Sequence, residues 1–131
     1  MPRAKFEFTT PSVTSVVFTA LAINGEVLFA AAHDSRMGHR EESIIFCHDI
    51  ETGRQIFGVL ATGSVYRMVF FPPSNTLFIA SSSPNTPPNV VTNNITALNA
   101  SNGFQIYVIQ APHNAPVNCL AVSETYLFSG S

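Results

Sequence analysis

Tryptophan is absent from this chain, and charge is scarce. Lys, Arg, Asp and Glu make up 11% of its 131 residues, under half the usual share. Six basic residues against eight acidic ones give a net charge of −2. The longest charged cluster, His39-Arg40-Glu41-Glu42, mixes both signs. Nucleic-acid binding needs a concentrated basic surface, so that partner class is excluded. No apolar run approaches the ~20 residues of a membrane helix. Residues 1–12 show no apolar block before a small-residue cleavage site, so neither a membrane partner nor an export signal is expected. A cytoplasmic or nuclear location is the expectation. The only cysteines, Cys47 and Cys119, each lie inside an apolar run and read as buried, reduced thiols rather than a disulfide. No stretch of ten residues carries the apolar spacing of an amphipathic helix.

What the chain does have is a repeat. Val13 begins VTSVVF, Val65 begins VYRMVFF and Val117 begins VNCLAV, evenly spaced at 52 residues. Behind each comes a second apolar run: VLFAA at 27–31, TLFIA at 76–80 and YLFSG at 126–130. The first two units continue with a third run closing on a polar turn, SIIFCHDIETG at 43–53 and NITALNASNG at 94–103. A fourth follows, RQIFGVLA at 54–61 and FQIYVIQA at 104–111. Val, Ile, Phe and Thr dominate these runs, which favours pleated structure. Asn24-Gly25, Thr62-Gly63-Ser64, Pro72-Pro73-Ser74-Asn75 and Asn102-Gly103 punctuate them with turn residues. The reading is all-β, about ten strands and no helix.

Four short strands per unit, at a period of about 40–50 residues, predict propeller blades. Blades are expected at 13–61 and 65–111, with a half-blade at 117–131. Residues 1–12 form a lead-in segment in which Phe6 and Phe8 alternate with polar neighbours. Phe18, Phe29, Phe46, Phe57, Phe70, Phe78, Phe104 and Tyr107 fall within the apolar runs and are expected as core between blades.

Two segments exceed what a tight hairpin needs: HDSRMGHREE at 33–42 and SSPNTPPNVVTN at 82–93. Each separates the second and third strands of its unit, and equivalent loops of a repeat protein project from one face. This face is the expected partner-contact surface, carried by His33, Asp34, Arg36, His39, Arg40, Glu41, Glu42, Asn85 and Asn89. The competing reading is a pair of tolerated insertions. His33 and His39 share one loop with Asp34, Glu41 and Glu42, but the spacing matches no standard ligand pattern, so a solvated polar loop is preferred over a metal site. Cys47 and His48 are adjacent and would point to opposite faces of a strand, which rules out a direct nucleophile–base pair. There is no phosphate loop, nucleophile elbow, dinucleotide fingerprint or glycosidase-like carboxylate pair. No catalytic residue and no cofactor is therefore expected. Asp49 with Gly53, and Asn99 with Gly103, are structural turn residues. The sequons at Asn94 and Asn99 read as accidents of an Asn-rich stretch.

On these residues the units resemble WD repeats. His113 stands four residues before Val117, and LFSGS at 127–131 matches that family's second strand. IIFCHDIETG at 44–53 matches its third strand and Thr-Gly turn, with Asp49 in the Asp place and His48 where Trp is usual. In ITALNASNG at 95–103, Leu98 and Asn99 take those two places. Pro112 replaces the Gly before His113, and Ala61 replaces the His ahead of Val65, so the hydrogen-bonded His–Ser–Asp–Trp set of the family is incomplete here. ALNASNG is also similar to quinoprotein-type blades.

The resemblance implies about two and a half four-stranded antiparallel blades of a WD40-like β-propeller. It implies a non-catalytic protein–protein interaction scaffold whose partners are other proteins, such as an adaptor in a ubiquitin-ligase or signalling complex. The alternatives are a segment of a quinoprotein-type propeller enzyme and a structural subunit that completes a ring with other chains. Typical rings hold 4–8 blades. The expectation is thus a piece of a longer propeller protein, or a chain that self-associates through exposed blade faces. A ten-strand β-sandwich is the remaining fold alternative.

Overall fold

The computed structural model describes residues 16–34, 42–85, 90–110, 115 and 117–131. The lead-in segment 1–12 lies outside them. The described chain is all-β and antiparallel. β1 (Val16–Asn24), β2 (Val27–Asp34), β3 (Glu42–Asp49) and β4 (Gln55–Thr62) form one four-stranded sheet in chain order. β5 (Ser64–Phe71), β6 (Thr76–Asn85), β7 (Val90–Asn99) and β8 (Gln105–Gln110) form a second with the same order. β9 (Cys119–Val122) and β10 (Leu127–Gly130) make a separate hairpin.

Ten strands are therefore present among the described residues, against the expected count of about ten. The helix-free reading is amended by one 3₁₀ turn, Pro72–Ser74. Its two prolines preset φ, and Asn75 ends it in the left-handed region at φ 51°.

The long loops are shorter than expected. His33, Asp34 and Glu42 are strand residues, as are 82–85 and 90–93, leaving 35–41 and 86–89 outside the described residues. β-branched Val90, Val91 and Thr92 carry β7 outward, pairing with Asn85, Pro84 and Ser83. Pro84 is tolerated because the β5 pairing of β6 reaches only to Ser82, so the edge facing β5 is free at that point.

Alternation builds two cores. From the first sheet, Phe29, Ala31, Ile45 and Cys47 face Val65, Met68, Leu77, Ile79 and Leu98 of the second. From the opposite face of the second sheet, Phe78, Ala80, Ile95 and Ala97 pack on Val117 and on Leu120, Val122 and Leu127 of the hairpin. The second sheet is thus sandwiched, with β1 beside β5 and β5 beside β9. Phe29 is fully buried and stacks on Phe70 at 5.9 Å. Such an aromatic pair adds about 1 kcal/mol to simple area burial.

The repeat extends to local irregularities. A bulge lies between Phe18 and Ala20 in β1 and another between Val65 and Arg67 in β5. Register shifts at Cys47/His48 and at Ala97/Leu98 leave Ile56 and Ile106 as the extra residues in the fourth strands. Each extra residue sharpens the local twist, so both sheets turn alike.

The third turns are also copies. The Asp49 carboxylate accepts from Thr52 N–H at 3.0 Å, and its carbonyl accepts from Gly53 N–H at 2.8 Å. The Asn99 side-chain oxygen accepts from Ser101 N–H at 2.8 Å, and its carbonyl accepts from Gly103 N–H at 2.7 Å. Gly53 and Gly103 sit at φ 72° and 78°, where a Cβ is strained. Gly103 is constrained further, because a Cβ there would lie 2.7 Å from the Phe57 ring and 2.9 Å from Val59.

Between the sheets the chain crosses at Gly63, φ 86°. The buried Ser43 hydroxyl pins that crossing, donating to the Gly63 carbonyl at 2.8 Å and accepting from Val65 N–H at 3.3 Å.

Two stability predictions follow from this geometry, both read by urea denaturation. Gly53→Val is expected to cost at least ~1 kcal/mol, and Gly103→Val more, because the second adds a clash to the strain. Equal losses would mean that the Gly103 turn does not rest on Phe57. Ser43→Ala orphans a buried N–H and a buried carbonyl and is expected to cost about 1–3 kcal/mol.

Candidate interaction surface

Each sheet has one face toward its neighbour, and the first sheet has a second face with no cover among the described residues. Leu28, Ala30 and Ala32 of β2 point to it, together with Phe18, Leu21 and Ile23 of β1, Ile44 and Phe46 of β3, and Leu60 of β4. Ala30 and Ala32 are shielded by their larger neighbours, whereas Leu21, Ile23 and Leu60 are exposed, Leu60 at 67%. Contiguous apolar surface of this kind makes the face a candidate for association.

A second uncovered region lies beside β10. Phe71, Phe78, Tyr107, Ile109, Val122 and Leu127 line a cleft of about 190 Å³, with Tyr126 and Thr125 at its rim. Its wall on the β8 side is half open: Tyr107 is 47% exposed and Ile109 37%. These facts correct part of the core expectation. Phe29 and Phe78 are buried, and Phe46, Phe57 and Phe70 are partly buried, but Phe18, Phe104 and Tyr107 are exposed. Phe18 points to the uncovered face of the first sheet. Phe104 and Tyr107 lie on or beside β8, an outer strand with no neighbour on its far edge among the described residues.

The expected contact residues are only partly within view. His33 is half-buried near the end of β2, in register with Val17 and Ser43. Asp34, Glu42 and Asn85 are strand residues. Arg36, His39, Arg40, Glu41, Asn89 and His113 lie outside the described residues. His33 is the only loop-site histidine that the structure places. Among the described residues no group of three His, Cys, Asp or Glu side chains could hold a metal ion, and no helix is long and apolar enough to cross a membrane. The shallow depressions at Asp49, Thr52 and Arg54, and at Gly25, Glu26 and Glu51, belong to the turns just described.

The cysteines differ, which corrects the reading that both are buried. Cys47 is buried against Phe29, and burial pushes its thiol up to about 11. Cys119 is exposed, on the side of the hairpin away from the core. Burial lowers the pKa of His48 below 6.5, because the imidazolium is the form that loses solvation.

The uncovered apolar residues escaped the sequence reading because they have the same composition as the core. The signal that could have found them is the repeat itself. A face with no further unit behind it among the described residues is exposed there however apolar it is.

Three outcomes are expected. Leu60→Lys should leave the urea midpoint within ~0.5 kcal/mol of the parent while reducing self-association in sedimentation, since the residue is exposed on an outer strand. With a thiol-specific chromogen at pH 8, one thiol of the native protein should react promptly and the second only after unfolding. Stability should fall as pH drops through about 6.5, because the unfolded imidazole takes up a proton that folded His48 resists, and His48→Gln should flatten that slope. Set against protein-family models and against curated proteins, the chain matches none.

Proposed function

We propose that this chain is a WD-repeat-like β-propeller segment and serves as a non-catalytic scaffold for other proteins. One observation carries the reading. Two four-stranded sheets with the same strand order, bulges and Asx–Gly turns stack face to face with their first strands adjacent, and a third unit begins on the far side. Successive sheets that present alternate faces to one another are the working parts of a propeller. The scaffold role is supported by what the surface offers, which is paired strands and open apolar faces among the described residues.

The β2–β3 and β6–β7 connections both leave the same end of their sheets, so that end is the one assigned to partner recognition. The test is site-specific photocrosslinking in the native source, with the crosslinker at His33 near that end and, as control, at Glu124 in the β9–β10 turn. Discrete adducts from position 33 and none from 124 are expected. Equal capture from both positions would remove the assignment.

A further inference from the structure

Asn-Gly occurs twice in this chain, at 24–25 and at 102–103, and the fold treats the two pairs in opposite ways. Asparagine is among the chemically labile residues. Its side-chain amide is open to attack by the backbone nitrogen of the next residue, and glycine there obstructs the attack least because it has no Cβ. In a folded chain two conditions decide the outcome. The attacking N–H must be free of a strong hydrogen bond, and the backbone must turn enough to bring it to the side-chain carbon.

Asn102–Gly103 meets neither condition. Gly103 N–H donates to the Asn99 carbonyl at 2.7 Å. The Asn102 side-chain oxygen accepts from Phe104 N–H at 2.9 Å, which ties the amide down beyond the glycine. Gly103 is buried, and a Cβ built on it would stand 2.7 Å from the Phe57 ring. Turning this backbone means lifting the whole turn off the first sheet.

Asn24–Gly25 meets both. Asn24 and Gly25 are exposed, and a Cβ built on Gly25 has nothing within 4 Å. Among the described residues neither the Asn24 side chain nor the Gly25 N–H makes a hydrogen bond. Asn24 pairs with Val27 in the last rung of β1 against β2. Only the hairpin tip has to open, and strand ends open locally at low cost while the rest of the sheet stays paired.

We propose that Asn24 is a site of spontaneous covalent modification in the folded protein, with water as its co-reactant. The Gly25 nitrogen gives its proton to water and attacks Asn24 Cγ. The bond from Cγ to the side-chain nitrogen breaks, ammonia leaves, and a cyclic imide closes. Water then opens the imide at either carbonyl, leaving an aspartyl or an isoaspartyl residue, and nothing is oxidised or reduced. The product carries a carboxylate beside Glu26, where Asp49 and Glu51 of the β3–β4 turn already line the surface. The isoaspartyl form also adds a methylene to the main chain close to the Glu26 carbonyl, which accepts from Ile50 N–H at 2.9 Å. The modification therefore loosens the tie between the two turns at this end of the first sheet. It does not depend on the scaffold reading.

The test holds the full chain in mildly alkaline buffer, with and without urea, and then digests it. The peptides containing residues 24 and 102 are followed by mass spectrometry, and an isoaspartyl-specific methyl-transfer enzyme detects the isoaspartyl product. In the native protein residue 24 is expected to convert at least about tenfold faster than residue 102, with the two rates converging in urea. Gly25→Ala should slow conversion at residue 24 sharply, while residue 102 keeps its parent rate and so reports an intact fold. Native conversion of residue 102 as fast as residue 24, or conversion of residue 24 only in urea, overturns the proposal. Conversion at residue 24 undiminished by Gly25→Ala also overturns it, because the acid then arises by direct hydrolysis and not through the Gly25 nitrogen.

Discussion

The structure depends on one contact, the seating of the second sheet on Phe29, Ile45 and Cys47 of the first. Everything else is arranged to permit it. Alanines at 20, 22 and 31 keep the face low enough for the sheets to approach. Matching bulges give both sheets the same twist, without which two pleated surfaces touch only along a line. The Asn99–Gly103 turn then closes the outer end of the contact against Phe57 and Val59, and Ser43 closes the end where the chain crosses over. A sheet is apolar on both faces only if both are to be covered. This accounts for a chain in which 46% of residues are hydrophobic and only 11% charged.

The fold was largely legible in the sequence because its information is periodic. The runs between turn residues placed the strands, but the 52-residue valine spacing misplaced the start of the first unit: by register Phe18, and not Val13, is the counterpart of Val65, and Val13 lies outside the described residues. The Asp49–Gly53 and Asn99–Gly103 turns could be read because side-chain acceptors and positive φ each demand a narrow choice of residue. Strand ends were less legible. Ser82, Ser83, Pro84 and Asn85 have the composition of a loop and yet form strand, because pairing with Val90–Asn93 outweighs their own preference. The prolines at 72 and 73 likewise impose a 3₁₀ turn that no hydrophobic pattern announces.

The candidate surface was less legible than the fold, and the reason is physical. Charged and polar loop residues are conspicuous in a chain with few charges, and the expected partner contacts fall on them. The apolar residues left uncovered differ from buried ones only in what lies behind them. Leu60 and Val59 are neighbours in β4 with nearly the same chemistry, but Val59 packs against the core between the sheets and Leu60 faces outward. Composition cannot separate them, and parity along the strand does so only once the number of sheets is known. The same holds for Phe57 and Tyr107, equivalent positions in successive units with different cover.

The crossing at Gly63 has a further consequence. A single residue separates the end of β4 from the start of β5, so the sheets are tethered with almost no slack. The effective concentration of one for the other is set by geometry rather than by diffusion. Every strand pairing among the described residues joins strands adjacent in sequence, so loop closures are short and cheap in entropy. Such a chain can nucleate in either sheet and elongate unit by unit, each new sheet forming on the exposed face of the last. Its cooperativity would then be that of a one-dimensional array with nearest-neighbour coupling.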